Sequence, residues 1–335
     1  MNSSFEELKP IHKKILTNSQ YHTALAQIET LIEKGFNKLT KSETAALERL
    51  SGSVEEFKCN VHAFKRNEMK KFGYVLSGGG ARGFAHLGVI KFLEELGIKP
   101  YAIAGTSAGA IVGALYAAGK KPHEILELFK DSKLFGWSTL TREKTGFFSM
   151  DSMKELLNEA LEKNDFAALK VKLFVASTDL VEGKSIIFSN GKLVEAVIAS
   201  ASVPVVFHAV KSGEKMLVDG GILNNFPVEP LSGICDVIIG SFVNKIEKGV
   251  SHNYFLESFN VLERCFHLAI SNSAYSKVNN CDVFIEVPLS EFSMFDLKRA
   301  KEIFDIGYNT ALLHKEKLLQ LKEDSCVTAI EKGIN

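Results

Sequence analysis

Cysteine is scarce in this chain and net charge is absent, and each shortage removes a class of protein. The five cysteines, Cys59, Cys235, Cys265, Cys281 and Cys326, are odd in number, scattered and never in a C-x-x-C pair. That usage argues against a disulfide framework or a zinc site and for reduced thiols in a cytosol. Forty Lys and Arg balance forty Asp and Glu, so no bulk field draws the chain to nucleic acid or anionic lipid, and only local patches remain for such contacts. The opening residues, Met1-Asn2-Ser3-Ser4-Phe5-Glu6-Glu7, lack the basic stretch and apolar segment of a secretory signal, which makes a cytoplasmic location the expectation. Internal repeats and low-complexity linkers are missing too.

One segment lacks charge altogether: the 19 residues from Tyr101 to Gly119. It is just long enough to span a membrane. However, Gly105, Gly109, Gly113 and Gly119 lie within it, with Thr106-Ser107 near its middle. That texture suits a buried strand, a turn and a buried helix. What the chain does have is bulk: 335 residues, 46% of them hydrophobic, enough for one large α/β domain with an appendage.

From Phe72 onward strand and helix patterns alternate. Phe72–Ser77 and Tyr101–Gly105 read as short apolar strands, and Ala81–Leu96 and Ala108–Ala118 as the helices after them. Later strands are expected at Lys172–Ser177, Ser185–Phe188, Lys215–Val218, Asp236–Gly240 and Asp282–Val287. Pro122 and Asp151 are expected to open two helices as first-turn and capping residues. A long final helix is expected over 296–322, with a break near Gly307. Such alternation predicts parallel strands joined by right-handed crossovers, with helices on both faces.

Residues 1–70 read as a separate helical module. Tyr21, Leu25, Ile28 and Ile32 share one helical face, and Gly35 follows as a stop. Thr40-Lys41-Ser42-Glu43 is a capping box that opens a second helix with Leu47, Leu50, Val54, Phe57 and Val61 on its apolar face. Two such stripes must pack on each other, on the main domain or on a partner. The pair has a faint resemblance to the helices that precede the DNA-binding motif of HigA-type antitoxins, but no helix-turn-helix follows, so no function is carried over.

Two glycine-framed turns and one Asp-Gly-Gly carry the chemistry. Ser77-Gly78-Gly79-Gly80-Ala81-Arg82-Gly83 gives a row of backbone N–H groups at a helix N-terminus, a ready anion site. Gly105-Thr106-Ser107-Ala108-Gly109 puts a serine at a sharp strand-to-helix turn, where small neighbours let the backbone strain and expose the hydroxyl. Asp219-Gly220-Gly221 follows an apolar strand, and chemistry in open α/β sheets gathers at the carboxyl ends of strands. Each has a bland rival. Gly78–Gly83 fits a dinucleotide fingerprint, but that fold needs an acidic residue about 20 positions on, where Gly105-Thr106-Ser107 stands instead. No Gly-Lys-Ser/Thr follows to make a phosphate-binding Walker loop. Ser107 could be a plain helix cap and Asp219 a plain turn residue.

In order and spacing these three motifs resemble the patatin-like phospholipase family, from Phe72 to about Tyr308. The resemblance implies a three-layer α/β/α patatin-like fold with a mostly parallel central sheet, spanning residues 71–323, beside the helical module of 1–70 and a tail of 324–335. It implies a catalytic dyad of Ser107 and Asp219, where an ordinary triad would use one of His86, His208 or His267. Gly78, Gly79, Gly80, Arg82 and Gly83 would form the oxyanion hole, supported by Gly105, Gly109, Gly220 and Gly221. The implied activity is hydrolysis of lipid or phospholipid esters, without cofactor or metal and without nucleic acid. Two alternatives stay open: a transacylase with the same dyad, or a ligand-binding or regulatory protein with a relic site.

Substrate class must come from the surroundings. Leu134, Phe135, Trp137, Leu140, Phe147, Phe148 and Met150, mixed with Lys133, Arg142, Glu143 and Lys144, suit an acyl-chain mouth or a peripheral membrane contact, and core packing equally. Val203-Pro204-Val205-Val206-Phe207 is a second such cluster. Arg82 is expected to tie its loop to a carboxylate or carbonyl, His86 to be a packed helix residue, and Asp179 and Asn224-Asn225 to anchor loops. The amino-terminal helices are expected to brace the core or join two subunits in a homodimer.

Overall fold

The structure is a computed structural model that describes residues 18–34, 39–54, 70–131, 150–204, 206–246, 248–256, 258–294 and 296–323. These fall into two compact units, one drawn from 1–70 and 320–335 and the other from 71–319. The cluster from Leu134 to Phe148 lies outside the described residues, as do Phe57, Val61, Gly35 and the tail from 324.

In the first unit, helix α1 (Asn18–Glu33) and a second helix, α2, over 41–54 bury their stripes on each other. Ala24, Leu31, Leu50 and Val54 form the buried cluster, with Leu25, Ile28, Leu39 and Leu47 packed beside them. The buried face of α1 is rotated from the expected one: Ile32 is exposed and Ala24 and Leu31 replace it. The capping box forms. Thr40 N–H donates to Glu43 Oε2 at 2.8 Å, and Glu43 N–H returns to Thr40 Oγ1 at 3.3 Å.

The second unit is built on eight strands: β1 (Phe72–Leu76), β2 (Pro100–Thr106), β3 (Lys172–Asp179), β4 (Lys184–Phe188), β5 (Val210–Ser212), β6 (Lys215–Asp219), β7 (Val237–Phe242) and β8 (Val283–Glu286). The sheet runs β5-β6-β3-β2-β1-β7-β8, with β4 also on β3. Every residue of β1 and β7 is buried, the continuous apolar texture of strands covered on both faces. On one face Val75, Ala102, Ala104, Ile238 and Phe242 pack with Phe226, Val228 and Leu231. On the other, Leu76, Ile103 and Leu173 sit against Gly113 of α4 (Ala108–Ala117).

The five strands β1, β2, β3, β7 and β8 are parallel, but β4 and β6 run antiparallel to β3, and β5 antiparallel to β6, so the sheet is mixed. The reason is connection length. β3 and β4 are four residues apart and β5 and β6 two, with Gly183 (φ 62°) and Gly213 (φ 62°) in the turns; a parallel return needs a crossover of a dozen residues or more.

The register of β3 decides where the site forms. Val175 and Ala176 pair with β2 and β4, while Ser177, Thr178 and Asp179 pair with β4 and β6. A strand has two edges, so β2 and β6 must share the edge opposite β4. They run in opposite senses and meet end to end, Thr106 beside Ala176 and Asp219 beside Ser177.

Several boundaries differ from expectation. A 3-10 turn, Gly80–Gly83, precedes α3 (Phe84–Glu95). The helices α5 (Pro122–Asp131) and α6 (Met150–Ala160) form, with Asp151 inside the first turn of α6 and not at its cap. Helices α7 (Leu193–Ser200), α8 (Gly221–Asn224) and α9 (Ser258–Tyr275) were not foreseen; α7 is apolar nearly all round and carries no helical stripe. The last segment divides at Leu313-His314 into α10 (Ala300–Leu312) and α11 (Lys315–Glu323). Gly307 does not break α10. It lets α10 lie against α3, where a Cβ at Gly307 would fall 2.1 Å from the Ala85 carbonyl and one at Gly88 2.0 Å from that of Phe304.

Two glycine substitutions test that crossing. Gly307→Ala should lower the unfolding free energy by about 1–3 kcal/mol, because backbone cannot yield as a side chain does. Gly52→Ala, on α2 with nothing within 4 Å, should be neutral or gain roughly 0.5–1 kcal/mol for its helix pair. Chemical denaturation of both variants reads the difference.

Candidate active site

Ser107 stands between β2 and α4 with φ 52° and ψ −119°, and is the one non-glycine residue among those described with a positive φ. Such a backbone persists only when its surroundings over-determine it. They do here. A Cβ on Gly105 would meet the Gly109 carbonyl at 2.5 Å, and one on Gly109 would meet that of Leu76 at 2.2 Å, so the turn closes only with glycine at both places. Ser107 N–H donates to Ser200 Oγ at 2.9 Å, and Thr106 Oγ1 to the Asn224 carbonyl at 2.8 Å.

Asp219 ends β6 and is buried. Its carboxyl accepts the Ser107 hydroxyl and the Gly221 N–H at 2.7 Å. Burial pushes its pKa up to about 6, against the downward pull of those two hydrogen bonds. The end-to-end meeting of β2 and β6 thus delivers a hydroxyl to a carboxylate poised near neutrality.

The loop 77–83 is tied on every side. Gly78 N–H donates to the Asn225 carbonyl at 3.3 Å and Asn244 Nδ2 to the Gly78 carbonyl at 2.6 Å. Ala81 N–H donates to the Met294 carbonyl at 2.7 Å, and a Cβ on Gly80 (φ 57°) would fall 2.2 Å from that same oxygen. Arg82 is buried and ties the loop through Nε to the Phe292 carbonyl at 2.8 Å, with Nη1 3.4 Å from His267 Nε2. Its own N–H donates to the Gly79 carbonyl at 3.2 Å. The N–H groups of Gly79, Gly80 and Ala108 donate to no described residue. Gly83 abuts Ala108, where a Cβ would fall 2.6 Å from that of Ala108, and Gly220 lies on the Ala176 carbonyl at 2.3 Å by the same measure.

None of the three histidines hydrogen-bonds Ser107 or Asp219 among the described residues. His86 lies fully buried between Ser241 Oγ (2.7 Å) and the Ser77 carbonyl (2.8 Å). It donates through Nε2, so its neutral ring accepts from Ser241 at Nδ1, and burial pushes its pKa down to about 4. His267 faces the Asn244 carbonyl at 3.1 Å, and burial beside Arg82 lowers it to about 4. His208 is exposed. Asp179 accepts the Val181 N–H at 3.0 Å in the β3–β4 turn. Asn224 is held by Lys277 Nζ at 2.6 Å and donates to Glu229 at 3.1 Å.

Ser107 opens onto a cleft of about 820 Å³ including its mouth, and is the one polar side chain among those that line it. Ile111, Val112, Phe129, Met150 and Met153 form one wall, and Ala201, Val203, Phe207, Met294 and Leu297 another. Val203 and Phe207 come from the second apolar cluster of the sequence and Met150 from the first. Ser200, Asn244 and Met294 were missed; only the small-residue run Ala199–Ser202 ahead of Pro204 hinted at one of them.

A strained serine at a strand-to-helix turn, beside a strand-end carboxylate over a mixed sheet, defines the class as an α/β protein with a serine-bearing elbow. Residues 74–232 match the model of the patatin-like phospholipase family. The chain is 34% identical over 187 residues to an uncharacterized NTE family protein of Mycobacterium tuberculosis, covering 52% of this chain and 49% of that one. It is 26% identical over 351 residues to lysophospholipase NTE1 of Saccharomyces cerevisiae, covering 88% of this chain and 21% of that one. The chain thus spans about half the length of its mycobacterial relatives and about a fifth of the yeast protein. Among solved structures, VipD from Legionella pneumophila aligns with a TM-score of 0.46 at 15% identity, over 74% of this chain and 66% of that one. No helix among the described residues is long and apolar enough to cross a membrane.

The pKa displacements carry opposite signs for stability. Asp219 is raised in the folded chain, so its contribution is full below the ordinary carboxylate range and is lost as pH rises through about 6. His86 and His267 are lowered, so theirs is full above about 6.5 and is lost as pH falls through about 4. Asp219→Asn should therefore melt higher than the parent at pH 8, by an amount bounded at about 3 kcal/mol, and no higher at pH 4. Calorimetry at the two pH values reads the difference.

Proposed function

We propose that this protein is a serine acyl hydrolase that cleaves carboxylic esters of lipids, with Ser107 as nucleophile and Asp219 as its base. The observation that carries the reading is the Ser107 hydroxyl donating to a buried carboxylate at the foot of an apolar cleft. A serine hydroxyl needs a base to take its proton, and Asp219 is the residue in place to do so. Ser107 Oγ attacks the acyl carbonyl carbon as its proton passes to Asp219. Collapse of the tetrahedral intermediate expels the alcohol, which takes the proton back from Asp219 and leaves the acyl group on Ser107. Water then attacks that ester, giving its proton to Asp219, and the fatty acid leaves as Ser107 is reprotonated.

The negative oxygen of each intermediate needs donors that are not already used. The N–H groups of Gly79, Gly80 and Ala108 meet that requirement, with the N-terminal dipole of α4 behind them. Arg82 serves the loop through its side chain, since its N–H is engaged. The match to the patatin-like phospholipase family supports the reaction class, and the lysophospholipase relative supports a lipid ester as substrate. The apolar walls favour medium and long acyl chains, presented at a lipid surface to which the protein binds peripherally.

Ser107→Ala and Asp219→Asn should each abolish nearly all ester hydrolysis, since members of a unit are lost together. His208→Ala should keep its turnover. In the parent, kcat/KM should rise with pH through about 6, as Asp219 ionises. A fluorophosphonate probe should label Ser107, located by peptide mass spectrometry. An unlabelled Ser107 in folded protein would point to a relic site, and loss of activity in a well-folded histidine variant would point to a triad.

Rates on long-chain lysophospholipid should jump where the lipid aggregates, while a soluble acetyl ester should be a poor substrate. Equal rates on both, with no jump, would refute the acyl-chain cleft.

A further inference from the structure

We propose that Ser200 is the positioning residue that holds Ser107 against Asp219, by bridging the break in the sheet where β2 stops and β6 begins. The proposal rests on the Ser107–Asp219 reading above.

Along its shared edge β3 is paired by β2 as far as Ala176 and by β6 from Ser177. No strand continues across that point, so backbone groups on either side of it lose their ladder partners. Ser200, at the end of α7 and fully buried, fills the gap. Its hydroxyl donates to the Ala176 carbonyl and accepts the Ser107 N–H at 2.9 Å. Its own carbonyl accepts the Gly220 N–H at 3.2 Å, and the carbonyl of Ser202 accepts the Asp219 N–H at 2.9 Å. One short turn therefore grips the backbone of both reacting residues and of the strand that lies beside them.

A serine that merely ended a helix would turn back on its own chain. Ser202 does this, bonding the Ile198 carbonyl four residues earlier. Ser200 instead reaches back across 24 residues to Ala176 and 93 to Ser107. The bond to Ser107 N–H matters because that residue sits at φ 52°, where a side chain is strained and the backbone would relax if released. It also removes the Ser107 N–H from the donors open to an oxyanion. Relaxation would draw Oγ away from Asp219 and remove one of the two hydrogen bonds that hold the carboxyl down against burial. Loss of the Ser200 hydroxyl thus has a signature beyond slower turnover: the acid limb of the pH–rate profile moves to higher pH.

The experiment compares the full-length parent with Ser200→Ala and Ser200→Thr, using a long-chain lysophospholipid. In Ser200→Ala, kcat should fall by roughly tenfold or more with KM within about twofold, the pattern of an interaction needed in the transition state. Its acid limb should move up from about 6, and Ser200→Thr, which keeps the hydroxyl, should recover most of the rate. Ser200→Cys, which keeps the volume but weakens both bonds, takes the same measurements if the alanine variant does not fold. An unchanged kcat and acid limb in the folded variant would overturn the proposal.

Crystal structures of parent and variant supply an arm that needs no turnover. A variant Ser107 that keeps its positive φ and its contact with Asp219 also overturns the proposal, whatever the enzyme cleaves. A displaced Ser107 beside an inactive parent would instead sink the hydrolase reading and leave the positioning role standing.

Discussion

The interaction on which the site depends is the pairing of β3 with two strands along one edge. β2 arrives parallel and stops, β6 arrives antiparallel and stops, and their carboxyl ends abut. Residues 107 and 219, more than a hundred positions apart in the chain, become neighbours because backbone hydrogen bonds place them there. Such a junction is costly to leave unfilled, since buried N–H and C=O groups need partners. The turn after α7 supplies them, and the same bonds that complete the sheet fix the two side chains.

Around this junction the protein accepts local penalties that a packed core offsets. Ser107 holds a backbone conformation that favours glycine, and Asp219 holds a carboxyl where burial disfavours its charge. In the proposed reaction both serve a nucleophile that must be exposed on one side and deprotonated on the other. The loop 77–83 is rigid for a related reason: donors aimed at a developing charge act best when they need no reorganisation. His86, His267, Asn244 and Arg82 are spent on that rigidity, through the Ser77 carbonyl, the Gly78 carbonyl and the Phe292 carbonyl. The two histidines are neutral because burial makes them so, and a neutral buried imidazole is a good bracket.

The glycine-framed motifs of the candidate site were legible because their geometry is local. The elbow at Ser107 needs glycine at 105 and 109, where any side chain would run into backbone carbonyl groups, and both glycines stand within two residues of the serine. The loop at 78–83 needs successive glycines to turn its N–H groups outward. The capping box at Thr40 and Glu43 spans three residues and formed as read. Most strand positions were legible too, since buried strands are short apolar runs, whereas β5, three residues long and largely exposed, carried no such run and was not foreseen.

Other features depend on distant partners and left little trace. The reversal of β4 against β3 and of β6 against β5 follows from short connections that a pattern of alternating elements does not display. Gly307 reads as a helix breaker, yet α10 continues through it because α3 comes close at that point. Ser200 is one serine among several, and only the break between β2 and β6 gives its hydroxyl two partners. The amino-acid sequence by itself determined the element types, the strained elbow and the glycine loop, because backbone sterics act over a few residues. The tertiary structure alone decided which carboxylate meets Ser107 and which side chains hold it there, because strand register joins positions that no local pattern connects.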